Sequence, residues 1–211
     1  MANVDCDEPF TDFFLGKKIA PGGYIWVFPK SSDVANVGIG ILGSLSKPGL
    51  AKKLLDNFIE SDLRLRKGQP LRVMAGAVPV SMPTKTVKDN LILVGDAARQ
   101  VDPLTGGGLT HCLEVGKIAG EVIGEAVENQ DFSEGFLVRY EEKWKQGIGK
   151  KIERNYRVKE LMLKLDDETL DKIALSLKDY KFDEFSTGGL VKALIKKHPT
   201  LLAKLIPLIK G

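Results

Sequence analysis

The sequence predicts an α/β chain, closer to α+β as it stands, with strands in its first half and helices in its second. Three observations carry this. Alternating aromatic and β-branched residues mark strands before residue 46. Apolar residues at steps of three and four mark helices after residue 107. Between them one wholly apolar run, Leu91, Ile92, Leu93 and Val94, feeds through a glycine-rich loop into a helix.

Residues 1–46 read as extended chain. Pro21, Gly22 and Gly23 signal a turn, and residues 24–28 form the strand after it. Residues 34–41 form a second strand, able to pair with the first as a hairpin. A helix is expected over about residues 48–60, with Ser46 as N-cap and Pro48 in its first turn. Its apolar face is Leu50, Leu54, Leu55 and Phe58. Residues 71–82 read as a strand ending at Pro83, and residues 91–94 suit a buried parallel sheet. Residues 107–128 read as a helix, with Leu109, Cys112, Leu113, Gly116, Ala119, Ile123, Ala126 and Val127 on one face. Residues 136–165 are helical again. There Phe136, Tyr140, Trp144, Ile148, Ile152 and Tyr156 recur every four residues, while Gly147 and Gly149 each weaken the helix by roughly 1 kcal/mol. Shorter helices are expected at residues 167–177, 189–197 and 199–209. Three regions result: 1–88, mostly sheet with one helix; 89–130, strand, glycine loop and helix; and 131–211, helical.

Composition narrows the function classes. The 211 residues are 43% hydrophobic, enough to bury a core. The 31 basic residues are nearly balanced by 28 acidic ones, which argues against a nucleic-acid partner. Cys6 and Cys112 have no metal spacing and read as free thiols in a reducing compartment, so no metal site is expected. The start of the chain lacks a basic-then-apolar signal pattern, and no run of 18 apolar residues could span a membrane, so a cytoplasmic location is expected. The tail from residue 189 to 211 interleaves lysines with leucines and isoleucines. Either it lies on a membrane surface or it packs on the body with its lysines in solvent.

Gly38, Gly40 and Gly43 match a G-x-G-x-x-G pattern. In a dinucleotide fold such glycines sit at a strand-to-helix turn. Here the first two fall inside an alternating strand, a loop comes next, and no second strand ends in an acidic residue at the required distance. The motif reads as a glycine-bearing strand.

The junction over residues 95–109 carries the chemistry. Gly95 permits a tight exit from the strand, and Asp96 presents an acceptor to a hydroxyl. Pro103 stiffens the loop. Gly106, Gly107 and Gly108 let a planar ligand approach the backbone and open a helix whose free N–H groups and positive dipole end face it. The order Gly95, Asp96, Ala97, Ala98, then Pro103, then three glycines and Leu109 resembles the second flavin motif of the flavoprotein family that includes para-hydroxybenzoate hydroxylase and geranylgeranyl reductases. The resemblance implies FAD as cofactor, with Asp96 on the ribityl chain and residues 106–109 against the pyrimidine edge of the isoalloxazine. Arg99, His111 and Cys112 lie close in sequence. They read as a loop residue able to meet a phosphate, a packed or solvated histidine, and a small core residue, and no catalytic residue is assigned.

Tyr24, Trp26, Phe28, Pro29 and Lys30 resemble the Tyr-x-Trp-x-Phe-Pro-Lys signature of geranylgeranyl reductases. That resemblance implies that residues 1–88 bind substrate, and that the chain belongs to an enzyme saturating C=C bonds of geranylgeranyl chains in isoprenoid membrane lipid biosynthesis. It also implies a substrate tunnel lined by the three aromatics, whose alternation puts them on one strand face. An FAD-dependent aromatic-ring monooxygenase of the same fold, or a non-enzymatic lipid- or partner-binding remnant, are the alternatives. The family's N-terminal Rossmann turn is not found in these residues, so the chain is expected to be the C-terminal part of such an enzyme, inactive by itself. The electron donor is not legible.

Overall fold

The structure is a computed structural model that describes residues 1–6 and 9–178. These divide into two compact units, residues 1–75 with 165–178, and residues 76–164. The helices expected at residues 189–197 and 199–209 lie outside the described residues.

In the first unit, β1 (Asp12–Leu15), β2 (Tyr24–Ser31) and β3 (Val34–Gly40) form an antiparallel sheet in that order. The expected hairpin is β2 with β3, in register from Tyr24 opposite Gly40 to Phe28 opposite Asn36. The register shifts between Pro29 and Ser31, where proline has no N–H to give the ladder. The inward face of β2 is Ile25 and Val27, both buried. A core forms from Val4, Cys6, Val27, Ala35 and Leu65, with Phe14, Phe58 and Ile59 packed against it.

Helix α1 is Leu50–Ser61. Its N-cap is Gly49 at φ +77°, not Ser46, so the helix starts two residues later than Pro48 suggests. The left-handed turn is open to glycine, whereas a serine cap requires an extended backbone immediately before the helix. Helix α5, Asp167–Leu177, matches expectation. The Asp166 carboxylate accepts from Thr169 N at 2.8 Å and caps it.

In the second unit, β4 (Val87–Lys88) and β5 (Leu91–Ile92) make a short antiparallel hairpin. The parallel strand expected over residues 91–94 is therefore corrected. Asp89 at φ +50° turns the chain back on itself, so the nearest partner edge is local and antiparallel. Residues 71–82 are also not a strand. They have no ladder partner among the described residues, Val80 N turns back to donate to Val78 O at 3.0 Å, and Leu71, Val73 and Met74 are exposed. Strand propensity describes a side-chain fit, but a ladder needs a second edge.

Helices α2 (Leu109–Asn129), α3 (Glu134–Trp144) and α4 (Lys150–Met162) build the core of this unit. Val115, Ala119, Val122 and Ala126 pack with Leu137, Tyr140, Trp144, Ile148 and Ile152. Truncating a buried tryptophan such as Trp144 to alanine costs on the order of 3–5 kcal/mol. The single helix expected over residues 136–165 is broken by a π-helical turn at Lys145–Gly149. The residues spaced by four explain it. Steps of four run ahead of an α-helix by about 40° each, and a wider turn takes up part of that drift. Tyr140, Trp144, Ile148 and Ile152 thus all stay buried.

Glu141 joins α3 to the chain before β4. Its Oε2 accepts from Thr86 N at 2.6 Å and Thr86 Oγ1 at 2.9 Å, and Trp144 Nε1 donates to the same hydroxyl at 2.9 Å. Burial acts to raise the Glu141 carboxyl, but Lys145 and the two Thr86 donors outweigh it and hold it below the ordinary value.

Candidate functional site

The loop over residues 95–108 lies in the second unit, between β5 and α2. Gly95 is at φ +68° and starts a single 3-10 turn, Gly95–Ala98, that ends with Arg99 in the left-handed region. This turn swings Asp96 out. Its side chain is exposed and makes no hydrogen bond or ion pair among the described residues. Gly106 is at φ +73°, and Gly108 is the N-cap of α2 without any side chain capping it. A Cβ on Gly108 would sit 3.1 Å from Val101 Cγ2 and 3.2 Å from Asp96 Oδ1. Glycine there keeps the helix entry and the aspartate side by side.

That combination has a definite chemistry. A free acceptor stands next to an uncapped helix N-terminus, where first-turn N–H groups lack intrahelical partners. The donor set fits a ligand with sugar-like hydroxyls and an electron-rich carbonyl edge, as a flavin has. Leu109 is 77% exposed on the adjoining first turn and offers an apolar contact. Pro103 is buried within the loop.

Several supports were not read from the sequence. Gln100 is fully buried. Its Oε1 accepts from Gly95 N at 2.8 Å, and its Nε2 donates to Tyr140 Oη at 2.9 Å. Asp102 is buried and ties the loop to α4. Its Oδ1 accepts from Leu104 N, and its Oδ2 accepts from Asn155 Nδ2 at 2.7 Å. A signal for Asn155 existed. It occupies a core position between Ile152 and Val158, where a polar residue needs a buried partner.

His111 is buried, as the packed reading holds, and its Nδ1 has no partner among the described residues. Burial pushes the imidazole below its ordinary value and Lys151 lowers it further, against Asp102, Glu114 and the Gln100 backbone. Cys112 is corrected from a core residue to an exposed one, on the side of α2 that meets Gly95. The face of α2 is corrected with it. Leu109, Leu113, Ile123 and Val127 are exposed, while His111, Val115, Ala119, Val122 and Ala126 are buried. This helix is apolar on two sides, and periodicity alone does not choose between them. Arg99 is exposed, with Nη1 reaching Met82 O at 3.5 Å.

In the first unit, Tyr24, Trp26 and Phe28 stand on the face of β2 opposite Ile25 and Val27. They do not build the core. They form a half-exposed ladder, with ring centroids 5.8 Å apart from Tyr24 to Trp26 and 6.1 Å from Trp26 to Phe28. Phe13 on β1 closes the patch at 5.5 Å from Tyr24 and 5.3 Å from Phe28. Trp26 Nε1 donates to Asn36 Oδ1 at 2.7 Å, and the indole lies across Gly38, where a Cβ would overlap it. Gly38 therefore belongs to the aromatic face; of the G-x-G-x-x-G match, Gly38 and Gly40 lie in β3 and Gly43 starts a short 3-10 turn after it. Pro29 is half-buried and Lys30 exposed at the end of the ladder.

Residues 1–78 match the family model described as geranylgeranyl reductase catalytic domain. A digeranylgeranylglycerophospholipid reductase of Methanothrix thermoacetophila is 41% identical over 204 residues, 96% of this chain and 52% of that protein. Digeranylgeranylglycerophospholipid reductase 1 of Methanococcoides burtonii is 44% identical over 209 residues, 99% of this chain and 51% of that protein. A crystal structure of a geranylgeranyl bacteriochlorophyll reductase-like protein from Thermoplasma acidophilum superposes with a TM-score of 0.92 at 40% identity, over 99% of this chain and 53% of that one. Over nearly its whole length the chain is similar to members of the geranylgeranyl reductase family. It spans about half the length of the curated relatives it matches.

Proposed function

We propose that this chain is the flavin- and substrate-facing part of an FAD-dependent reductase that saturates C=C bonds of geranylgeranyl chains on isoprenoid membrane lipids. The observation that carries the reading is the Asp96 carboxylate, without a partner among the described residues, beside the uncapped N-terminus of α2. Asp96 accepts from hydroxyls of the ribityl chain. Gly106, Gly107, Gly108 and Leu109 lie against the pyrimidine edge, where the N–H groups of Gly108 and Leu109 stabilise negative charge on the reduced ring. Reduced FAD, when bound, would supply a hydride to one carbon of the C=C bond, and a proton would add to the other. Tyr24, Trp26 and Phe28, with Pro29 and Lys30 at their end, hold the isoprenoid chain and keep water from it.

The reductase is favoured over an aromatic-ring monooxygenase because the relatives quoted carry reductase names. The test joins this chain to the remaining half of the Methanococcoides burtonii relative and expresses it in a host making geranylgeranyl lipids. Lipid mass spectra gain two hydrogens per saturated bond, and Asp96→Ala abolishes the gain. Unsaturated lipids from a folded, flavin-loaded chimera refute the activity.

No helix of the described residues is long and apolar enough to cross a membrane. We further propose a cytoplasmic protein held peripherally at the membrane through the basic, apolar residues 189–211. Flotation with anionic liposomes that is lost on deleting those residues supports this. Equal flotation of both proteins sinks it.

A further inference from the structure

We infer that Asp102 and Asn155 form a positioning pair that holds the 102–107 turn and thereby fixes the direction in which Gly108 and Leu109 present their N–H groups; this rests on the reading of that loop as flavin-facing. Five hydrogen bonds converge on Asp102. Its Oδ1 accepts from Leu104 N at 2.9 Å and Thr105 N at 3.2 Å. Its own N–H donates to Gly107 O at 2.9 Å, and its carbonyl accepts from Gly106 N at 2.8 Å. The last, from Asn155 Nδ2 to Oδ2 at 2.7 Å, ties the whole turn to α4.

The four local bonds close the turn on itself. Only the fifth gives it an orientation relative to the helical core. Asn155 is fully buried on α4 and Asp102 is 7% exposed, so the contact is made away from water. Burying an amide and a carboxylate is costly unless each is satisfied, and here each is. The neighbouring glycines create the need for such an anchor. Gly106, Gly107 and Gly108 have the largest backbone freedom in the loop, and Gly106 occupies a left-handed conformation. Donors that stabilise developing charge must be held before the charge appears, and glycines cannot hold themselves. A pair fixed from α4 does so without placing a side chain in the ligand's path.

The test is amide hydrogen exchange of residues 104–109 in the full chain, with thermal midpoint as a control. Asn155→Asp sets two carboxylates against each other and is expected to speed exchange of the turn by roughly tenfold or more, from loss of one charge-assisted bond. Adding Asp102→Asn restores an amide facing a carboxylate, and exchange returns to within about threefold of native. A residue acting only through its volume would not be rescued by this exchange of partners. Should Asn155→Asp fail to fold, Asn155→Ala removes the donor without adding charge and is expected to shift exchange in the same direction. Unchanged exchange in either variant overturns the pair, as does an Asp102→Asn/Asn155→Asp double variant no better than Asn155→Asp. Saturating FAD is then added to the same three proteins joined to the remaining half of the Methanococcoides burtonii relative. It is expected to slow exchange of residues 104–109 in the native chain and the double variant, and less in Asn155→Asp. Equal slowing in all three overturns the role assigned to the pair. No slowing in any of them, with the exchange rescue intact, overturns the flavin reading and the assigned role with it.

Discussion

Gly38→Ala tests the aromatic face through a residue that has no side chain of its own. A Cβ at this position would overlap the outer ring of Trp26. Backbone cannot yield, because Gly38 is paired with Trp26 in the middle of the β2–β3 ladder. The indole must therefore lift. It then gives up its hydrogen bond to Asn36, worth about 1 kcal/mol, and its contacts with the Tyr24 and Phe28 rings, worth about 0.5–1.5 kcal/mol each. The expected loss is roughly 2–4 kcal/mol, or on the order of 10 °C in the unfolding midpoint. Nitrogen-edited proton spectra report it directly. The chain has two indole N–H groups, Trp26 and Trp144, and the second is buried in the other unit. Gly38→Ala shifts one resonance and leaves the other. In a Trp26→Ala background the same change should cost little, since nothing remains to displace. Two unmoved indole resonances, or an equal cost in both backgrounds, refute the stacking argument.

Three further outcomes are expected. The Glu141 carboxyl is held below its ordinary value, so its contribution is present above the unfolded-state value and is lost as pH falls through the lower folded value. Urea unfolding of Glu141→Gln between about pH 3 and 6 should show a shallower acid loss and about 1–2 kcal/mol less stability at the upper end. The His111 imidazole is also held low, chiefly by burial, so stability should decline as pH falls below the ordinary value of 6.5. His111→Gln removes that slope, and an unchanged pH profile counts against it. Finally, the chain alone should bind FAD weakly, because no dinucleotide turn for the pyrophosphate is found among its motifs. Stoichiometric yellow flavin in the purified chain would contradict this, and Asp96→Ala should weaken whatever binding titration detects.

Much of the candidate site was legible because its chemistry is local. Gly95, Asp96 and the glycines before Leu109 lie within a few residues of one another, so their spacing in sequence is close to their spacing in space. The aromatic ladder was legible for the same reason, since alternate residues of a strand share a face. The supports were not legible. Gln100 meets Tyr140 across 40 residues and Asp102 meets Asn155 across 53, and no local pattern joins such partners. The 71–82 segment failed for a related reason, because a strand is defined by its neighbour.

By itself the sequence determined where the loop turns, which residues alternate on β2, and that residues 136–156 keep one face. These are consequences of backbone sterics and side-chain period, which act over one or two turns. Only the tertiary structure decided which of two apolar sides of α2 is packed and that Cys112 is outside. It alone decided that Tyr24, Trp26 and Phe28 are a surface ladder while Ile25 and Val27 are core. Burial is a property of what lies opposite, and periodicity carries no information about that. The glycine loop stands on both: its bends are written in Gly95 and Gly106, and its anchors, Gln100 and Asp102, acquire meaning only once Tyr140 and Asn155 are folded against them.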